Sequence, residues 1–192
     1  MKKRLHGAGR VAAPLFDSQP RSASSLHQII LGIDPSLRST GYGVIQLSKP
    51  APKVLAQGTI SCPPAWEQSR CLVKIAQTLR DVLKHHHPTV CIIEGIFFAQ
   101  NLQTAITMGT ARGASLLTVA EAGLEVYEIA TRKVKQAIVG YGAAQKIAVA
   151  KMVQRLLRLP DLPTPDAADA LALALTYAQE NGRFNLSPRK RL

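Results

Sequence analysis

Asp34 closes the apolar run Ile29-Ile30-Leu31-Gly32-Ile33, Glu94 closes Val90-Cys91-Ile92-Ile93, and Asp166 and Asp169 stand three apart in Pro165-Asp166-Ala167-Ala168-Asp169-Ala170. An acid that follows an apolar run of strand length sits at the end of a buried strand. Two acids three apart at the start of a helix lie on one face of it. Taken singly, each has an ordinary explanation: Asp34 before Pro35 suits a turn, Glu94 suits a solvated strand end, and Asp166 suits a helix N-terminus. Aimed together at one point, they would repel one another unless a divalent cation sat between them. Oxygen ligands without Cys or His select Mg²⁺, with Mn²⁺ able to substitute. Two such ions about 4 Å apart can clamp a phosphodiester, one activating water and the other stabilising the leaving oxygen.

The elements that must bring these acids together can be read in order. Gln28 to Asp34 reads as strand one, and the turn from Pro35 to Gly41 leads to an alternating strand two, Tyr42 to Leu47. Val54 to Ile60 closes an antiparallel meander before Pro63-Pro64. Leu72, Ile75, Ala76, Leu79, Val82 and Leu83 fall at helical spacing, which predicts an amphipathic helix from about Ala65 to His87. Its His85-His86-His87 end reads as a solvated last turn, since consecutive helical residues point in different directions. Thr89 to Glu94 is apolar throughout, as suits a central parallel strand. The strand, helix, strand succession implies a right-handed crossover that sets strand four beside strand one and makes Asp34 and Glu94 neighbours. Leu102 to Ala122 reads as a second helix and Glu125 to Ile129 as a fifth strand. Thr131 is expected to cap a helix bearing Arg132, Lys133 and Lys135; another follows from Ala143 to Leu159, and Thr164 and Pro165 open a last one through Tyr177. The fold class is therefore α/β: a mixed sheet of five strands, antiparallel over strands 1 to 3 and parallel at 4 and 5, flanked by helices.

The chain of 192 residues holds 24 Lys and Arg against 12 Asp and Glu, a net charge of +12 that suits a polyanionic partner. The charge gathers at the ends, in Lys2, Lys3, Arg4, Arg10 and Arg21 and in Arg183, Arg189, Lys190 and Arg191. Residues 1–27 are expected to be a disordered basic extension, 28–180 one folded domain and 181–192 a basic tail. The extension also has the composition of an organelle transit peptide, but its Pro and Gly argue against an amphipathic helix. Three cysteines without a C-x-x-C pair fit a reduced, cytoplasmic protein, and no apolar run reaches the length of a membrane span.

These residues carry a resemblance. Ile30-Leu31-Gly32-Ile33-Asp34-Pro35 with Arg38, Thr40, Gly41, Tyr42, Gly43 and Val44, then Ile93-Glu94 followed by Phe97 and Asn101, resembles the RuvC family of Holliday junction resolvases. So do Ala111-Arg112-Gly113, Val134-Lys135-Gln136 and Asp166-Ala167-Ala168-Asp169-Ala170-Leu171, in the same order from about Gln28 to Tyr177. The resemblance implies an RNase H-like fold, a homodimer with two active sites, and paired Mg²⁺-dependent nicks in strands of like polarity across a four-way DNA junction. It implies two metal ions per site and, as partners, the RuvA and RuvB branch-migration proteins. Position by position, Asp34, Glu94, Asp166 and Asp169 match the metal-binding carboxylates, and Phe97 matches the aromatic wedge. Arg112, Arg132, Lys135 and Lys146 fall at or near the basic positions that contact DNA. For Phe97, stacking on an unpaired base would contribute roughly 1 to 3 kcal/mol. Gly95 stands where the family usually has Gln, Ser36-Leu37 where Gly-Ser is usual, and Gln145 where an acid precedes Lys146. None of these touches an expected metal ligand.

Other readings fit less well. A nucleotide-binding enzyme of the actin-like superfamily needs a second phosphate loop and a second domain, for which the chain is too short. A non-catalytic junction binder would be expected to have lost at least one of the acids. An RNase H-like nuclease of other substrate preference shares both fold and metal site, so it is separated only by substrate.

Overall fold

The structure, a computed structural model, describes residues 28–95, 101–181 and 190–192. Strands β1 (Ile29–Asp34), β2 (Ser39–Gln46) and β3 (Lys53–Ser61) form the antiparallel meander, and helix α1 (Gln68–His86) crosses over to β4 (Val90–Glu94). Helix α2 (Leu102–Glu121) leads to β5 (Glu125–Ile129), followed by α3 (Thr131–Val139), α4 (Lys146–Leu157) and α5 (Pro165–Asn181). Strands β4 and β5 run parallel to β1, and the sheet order is β3-β2-β1-β4-β5-β6. The five expected strands are there. The sixth, β6 (Lys190–Arg191), is an addition: a stretch read as tail pairs antiparallel with Tyr127 and Glu128 of β5.

Boundaries shift where tertiary pairing extends a local signal. Strand β2 begins at Ser39 rather than Tyr42, because Asp34 to Ile29 supply a ladder for Gly41 to Gln46 and Ser39 and Thr40 pair with β3. Helix α4 begins at Lys146 rather than Ala143, and α5 continues past Tyr177 to Asn181. The last turn of α1 is closed by His87 at φ 46°, whose N–H bonds the Leu83 carbonyl at 3.0 Å. Among the described residues no helix is long and apolar enough to cross a membrane.

Period-two alternation divides the sheet into two faces. Leu31, Ile33, Val44, Cys91 and Ile93 pack with Cys71, Ile75 and Leu79 of α1 and Ala111 and Val119 of α2. Ile30, Ile45, Val90 and Ile92 pack instead with Val134, Val153 and Leu171 of α3, α4 and α5. Two residues beyond Ile92 comes Glu94, and two beyond Gly32 comes Asp34, so both acids project on the second face. The pairing Ile33↔Ile93 sets them side by side at the ends of parallel strands.

Helix α5 lies directly on β1 and β2, buried nearly all round from Ala167 to Tyr177, as an apolar helix should be. The sheet beneath it has been stripped of side chains. Gly32 pairs across the strands with Gly43, and Asp34 with Gly41. A Cβ on Gly32 would strike the Ala170 carbonyl, one on Gly41 the Asp166 carbonyl, and one on Gly43 the Leu171 side chain. Only glycine permits this approach of helix backbone to strand backbone. The approach carries the first turn of α5 to the end of β1.

Candidate active site

Asp34, Glu94, Asp166 and Asp169 all line one open cleft of about 730 Å³. The turn Pro35–Ser39 and the first turns of α2 form one side; Thr131, Lys135 and Lys146, from α3 and α4, form the other. Three elements thus deliver the acids: β1 gives Asp34, β4 gives Glu94, and α5 gives the pair whose spacing of three puts both on its cleft-facing side.

The electrostatics follow from that crowding. Burial, a hydrogen bond with Glu94 and the negative charges of Glu94 and Asp169 push the Asp34 carboxyl up to about 9. Burial likewise raises Asp169, with Glu94 and Asp166 adding to the shift and Lys146 opposing it. Partial burial pulls the Lys146 ammonium down, but Asp169, Asp34 and Asp166 outweigh it and the net shift is upward. The Lys146 Nζ lies 3.1 Å from an Asp169 carboxylate oxygen. Among the described residues no three of His, Cys, Asp and Glu come close enough together to grip one ion. The acids are instead paired, Asp34 with Glu94 and Asp169 with Lys146. The donor set fits a hard divalent cation: every candidate ligand is a carboxylate oxygen, and the cleft contains neither thiol nor imidazole. A doubly charged ion would relieve the repulsion among them.

Glu94 is held from both ends. Its carboxylate Oε1 accepts from the Thr131 hydroxyl at 2.6 Å, while its main-chain carbonyl accepts from the Arg112 guanidinium. Arg112 in turn pairs with Glu128 of β5, and the Gly95 N–H extends the β4–β5 ladder to the Ile129 carbonyl at 3.0 Å. Thr131 is not the cap it was expected to be; Ala130 occupies that position and Thr131 is the first helical residue, its hydroxyl turned to the acid. Spacing alone carried no signal for that bond, which joins residues 37 apart in sequence.

The basic candidates separate. Lys135 and Lys146 line the cleft, and Arg132 is exposed at the start of α3, its stem against Gly142. Arg112 is 8% exposed, with both terminal nitrogens engaged inside the protein, where it braces Glu94. Phe97 lies outside the described residues. Arg38 also lines the cleft. Its Nη1 donates to the Pro63 and Trp66 carbonyls at 2.8 and 2.9 Å. All three cysteines are buried and free.

Comparison with known proteins gives a consistent result. Residues 30–177 match the family described as crossover junction endodeoxyribonuclease RuvC. The chain is 45% identical over 148 residues to the crossover junction endodeoxyribonuclease RuvC of Akkermansia muciniphila, spanning 77% of this chain and 89% of that one. It is 44% identical over 151 residues to the protein of the same name from Thermomicrobium roseum, spanning 78% and 92%. Among solved structures, Thermus thermophilus RuvC in complex with Holliday junction substrate aligns with a TM-score of 0.78 at 33% identity, covering 86% of this chain and all of that one. A yeast mitochondrial Holliday junction resolvase, at 11% identity and a TM-score of 0.56, shares the fold.

Proposed function

This chain belongs to the RuvC family of crossover junction endodeoxyribonucleases, and from that premise we infer how its cleft resolves a four-way DNA junction. It is a nuclease with an RNase H-like fold that acts on Holliday junctions. The observation that carries the mechanism is the convergence of four acids from β1, β4 and α5 on one cleft, where burial and the neighbouring acids raise the Asp34 carboxyl.

Asp34, Glu94, Asp166 and Asp169 would hold two Mg²⁺ ions, or Mn²⁺ in their place, which supply an activated water and a positive charge against the leaving oxygen. The protein's own groups do the rest. Lys146, paired with Asp169 in the cleft, would offer its ammonium to the scissile strand. Lys135 and Arg38 both line the cleft and would position the backbone through its phosphates. Arg132 extends the basic rim, and Phe97 is the wedge at the branch point.

One nick in each of two strands of like polarity requires two such clefts related by a two-fold axis, so the working form is a homodimer. Helix α2 supplies a face suited to that contact. Leu102, Ile106 and Leu117 are 77%, 51% and 59% exposed, and with Gly109 and Gly113 they follow one another at helical spacing. The family also implies delivery of junctions by RuvA and RuvB, and a cytoplasmic site of action.

A nicking assay on a synthetic four-way junction, a linear duplex and an RNA/DNA hybrid, with Mg²⁺ or with chelator, tests this reading. Paired nicks in the junction alone, dependent on Mg²⁺ and absent in Glu94→Gln, are expected. Cutting of hybrid in preference to junction, or wild-type cutting by Glu94→Gln, would overturn it.

A further inference from the structure

We propose that Thr131 is a positioning residue for Glu94, its hydroxyl fixing which way the carboxylate faces in the cleft. The inference rests on Glu94 as a metal ligand. The Thr131 Oγ donates to Glu94 Oε1 at 2.6 Å, a length typical of a hydroxyl on a charged acceptor. Glu94 sits at the last position of β4, and its flexible side chain has many rotamers. Among the described residues, the other side-chain partner of that carboxylate is Asp34. Two carboxyl groups hold each other only through a shared proton, whereas a hydroxyl donates to the carboxylate as such.

The placement of Thr131 follows from the sheet. Glu94 pairs with Ile129 in the β4–β5 ladder, and Thr131 comes two residues later, as the first residue of α3. Helix α3 is itself anchored through buried Val134 and Ile138, so the hydroxyl cannot drift from the strand end. Threonine is β-branched, with few rotamers to lose on forming the bond. Partners that orient a metal-binding side chain typically change metal affinity or activity by about 10-fold to 100-fold when removed.

The test compares Thr131→Val, which keeps shape and loses the donor, with Thr131→Ser, which keeps the donor, and with Glu94→Gln. Mn²⁺ binding is measured by calorimetry, and the Mg²⁺ dependence of kcat and KM is measured on a four-way junction. Thr131→Val is expected to melt near the wild-type temperature in chelator, bind junction with unchanged affinity and KM, and lose about 10-fold or more in Mn²⁺ affinity and in kcat at limiting Mg²⁺. Thr131→Ser is expected to restore both. Wild-type metal affinity in Thr131→Val, or loss in both variants alike, would overturn the assignment of Thr131 while leaving Glu94 in place. Wild-type cleavage by Glu94→Gln would instead overturn the site.

Discussion

Asp34 illustrates how one side chain couples stability to function. Its folded-state pKa lies near 9, far above the ordinary aspartate value, so between about pH 4 and 9 the unfolded chain loses a proton that the folded one keeps. Its contribution to stability is therefore fully present below the ordinary value and is lost as pH rises through the folded pKa. In chelator, Asp34→Asn is expected to melt several degrees above wild type at pH 8 and to show a flatter stability profile between pH 5 and 8. An equal or lower melting temperature at pH 8 would contradict the crowding described for this cleft. Arg112 calls for the opposite outcome. Removing one partner of a buried pair leaves the other charge uncompensated, so Arg112→Met should cost about 3 kcal/mol or more in a denaturant melt. The salt dependence of junction binding should keep its slope, because no phosphate contact is lost. A shallower slope would return Arg112 to the DNA interface. The acids were legible in the sequence because each ends an apolar run or opens a helix. The roles of Arg112 and Thr131 were not, because both depend on which strand ends the fold brings within reach.

Helix α5 and the meander beneath it decide where two of those acids stand. Gly41 lies opposite Asp34, and a Cβ there would collide with the Asp166 main chain. Gly41→Ala should thus lower stability by about 1 to 3 kcal/mol. It should also slow cleavage far more than Gly113→Ala, where a Cβ meets nothing within 4 Å. Gly113→Ala in the exposed helix should gain about 0.5 to 1 kcal/mol for the monomer, read by thermal melts at dilute concentration. Equal effects at the two sites would mean that α5 does not rest on bare backbone. The sequence shows why the element order was readable: unbroken apolar runs mark β1 and β4 as strands buried on both faces, and Thr164-Pro165 marks the start of α5. The glycines in β1 and β2 signal a close backbone approach, but a strand glycine does not name what approaches it. The β6 pairing was likewise out of reach, since two residues carry no periodicity and only the open edge of β5 recruits them.

For the molecule as a whole, the separation of surfaces matters most. The cleft opens on the side where β1 and β4 end and α5 begins, while the apolar stripe of α2 is exposed, as the proposed contact with a second copy requires. Ile106→Lys combined with Leu117→Lys should give a monomer in sedimentation at micromolar concentration. On a junction, such a monomer should leave singly nicked products in place of paired ones. A dimer that survives both changes would place the interface elsewhere. The backbone-on-backbone seat of α5 bears on rigidity as well. Where main chain meets main chain, at Gly32 and Gly41, there is no strand side chain to rotate or compress, so the spacing from Asp34 to the α5 acids is held by the fold itself, as by an anvil. The first turns of α2 also line the cleft and are exposed, so a change confined to them is expected to alter which DNA shapes bind before it alters the spacing of the acids.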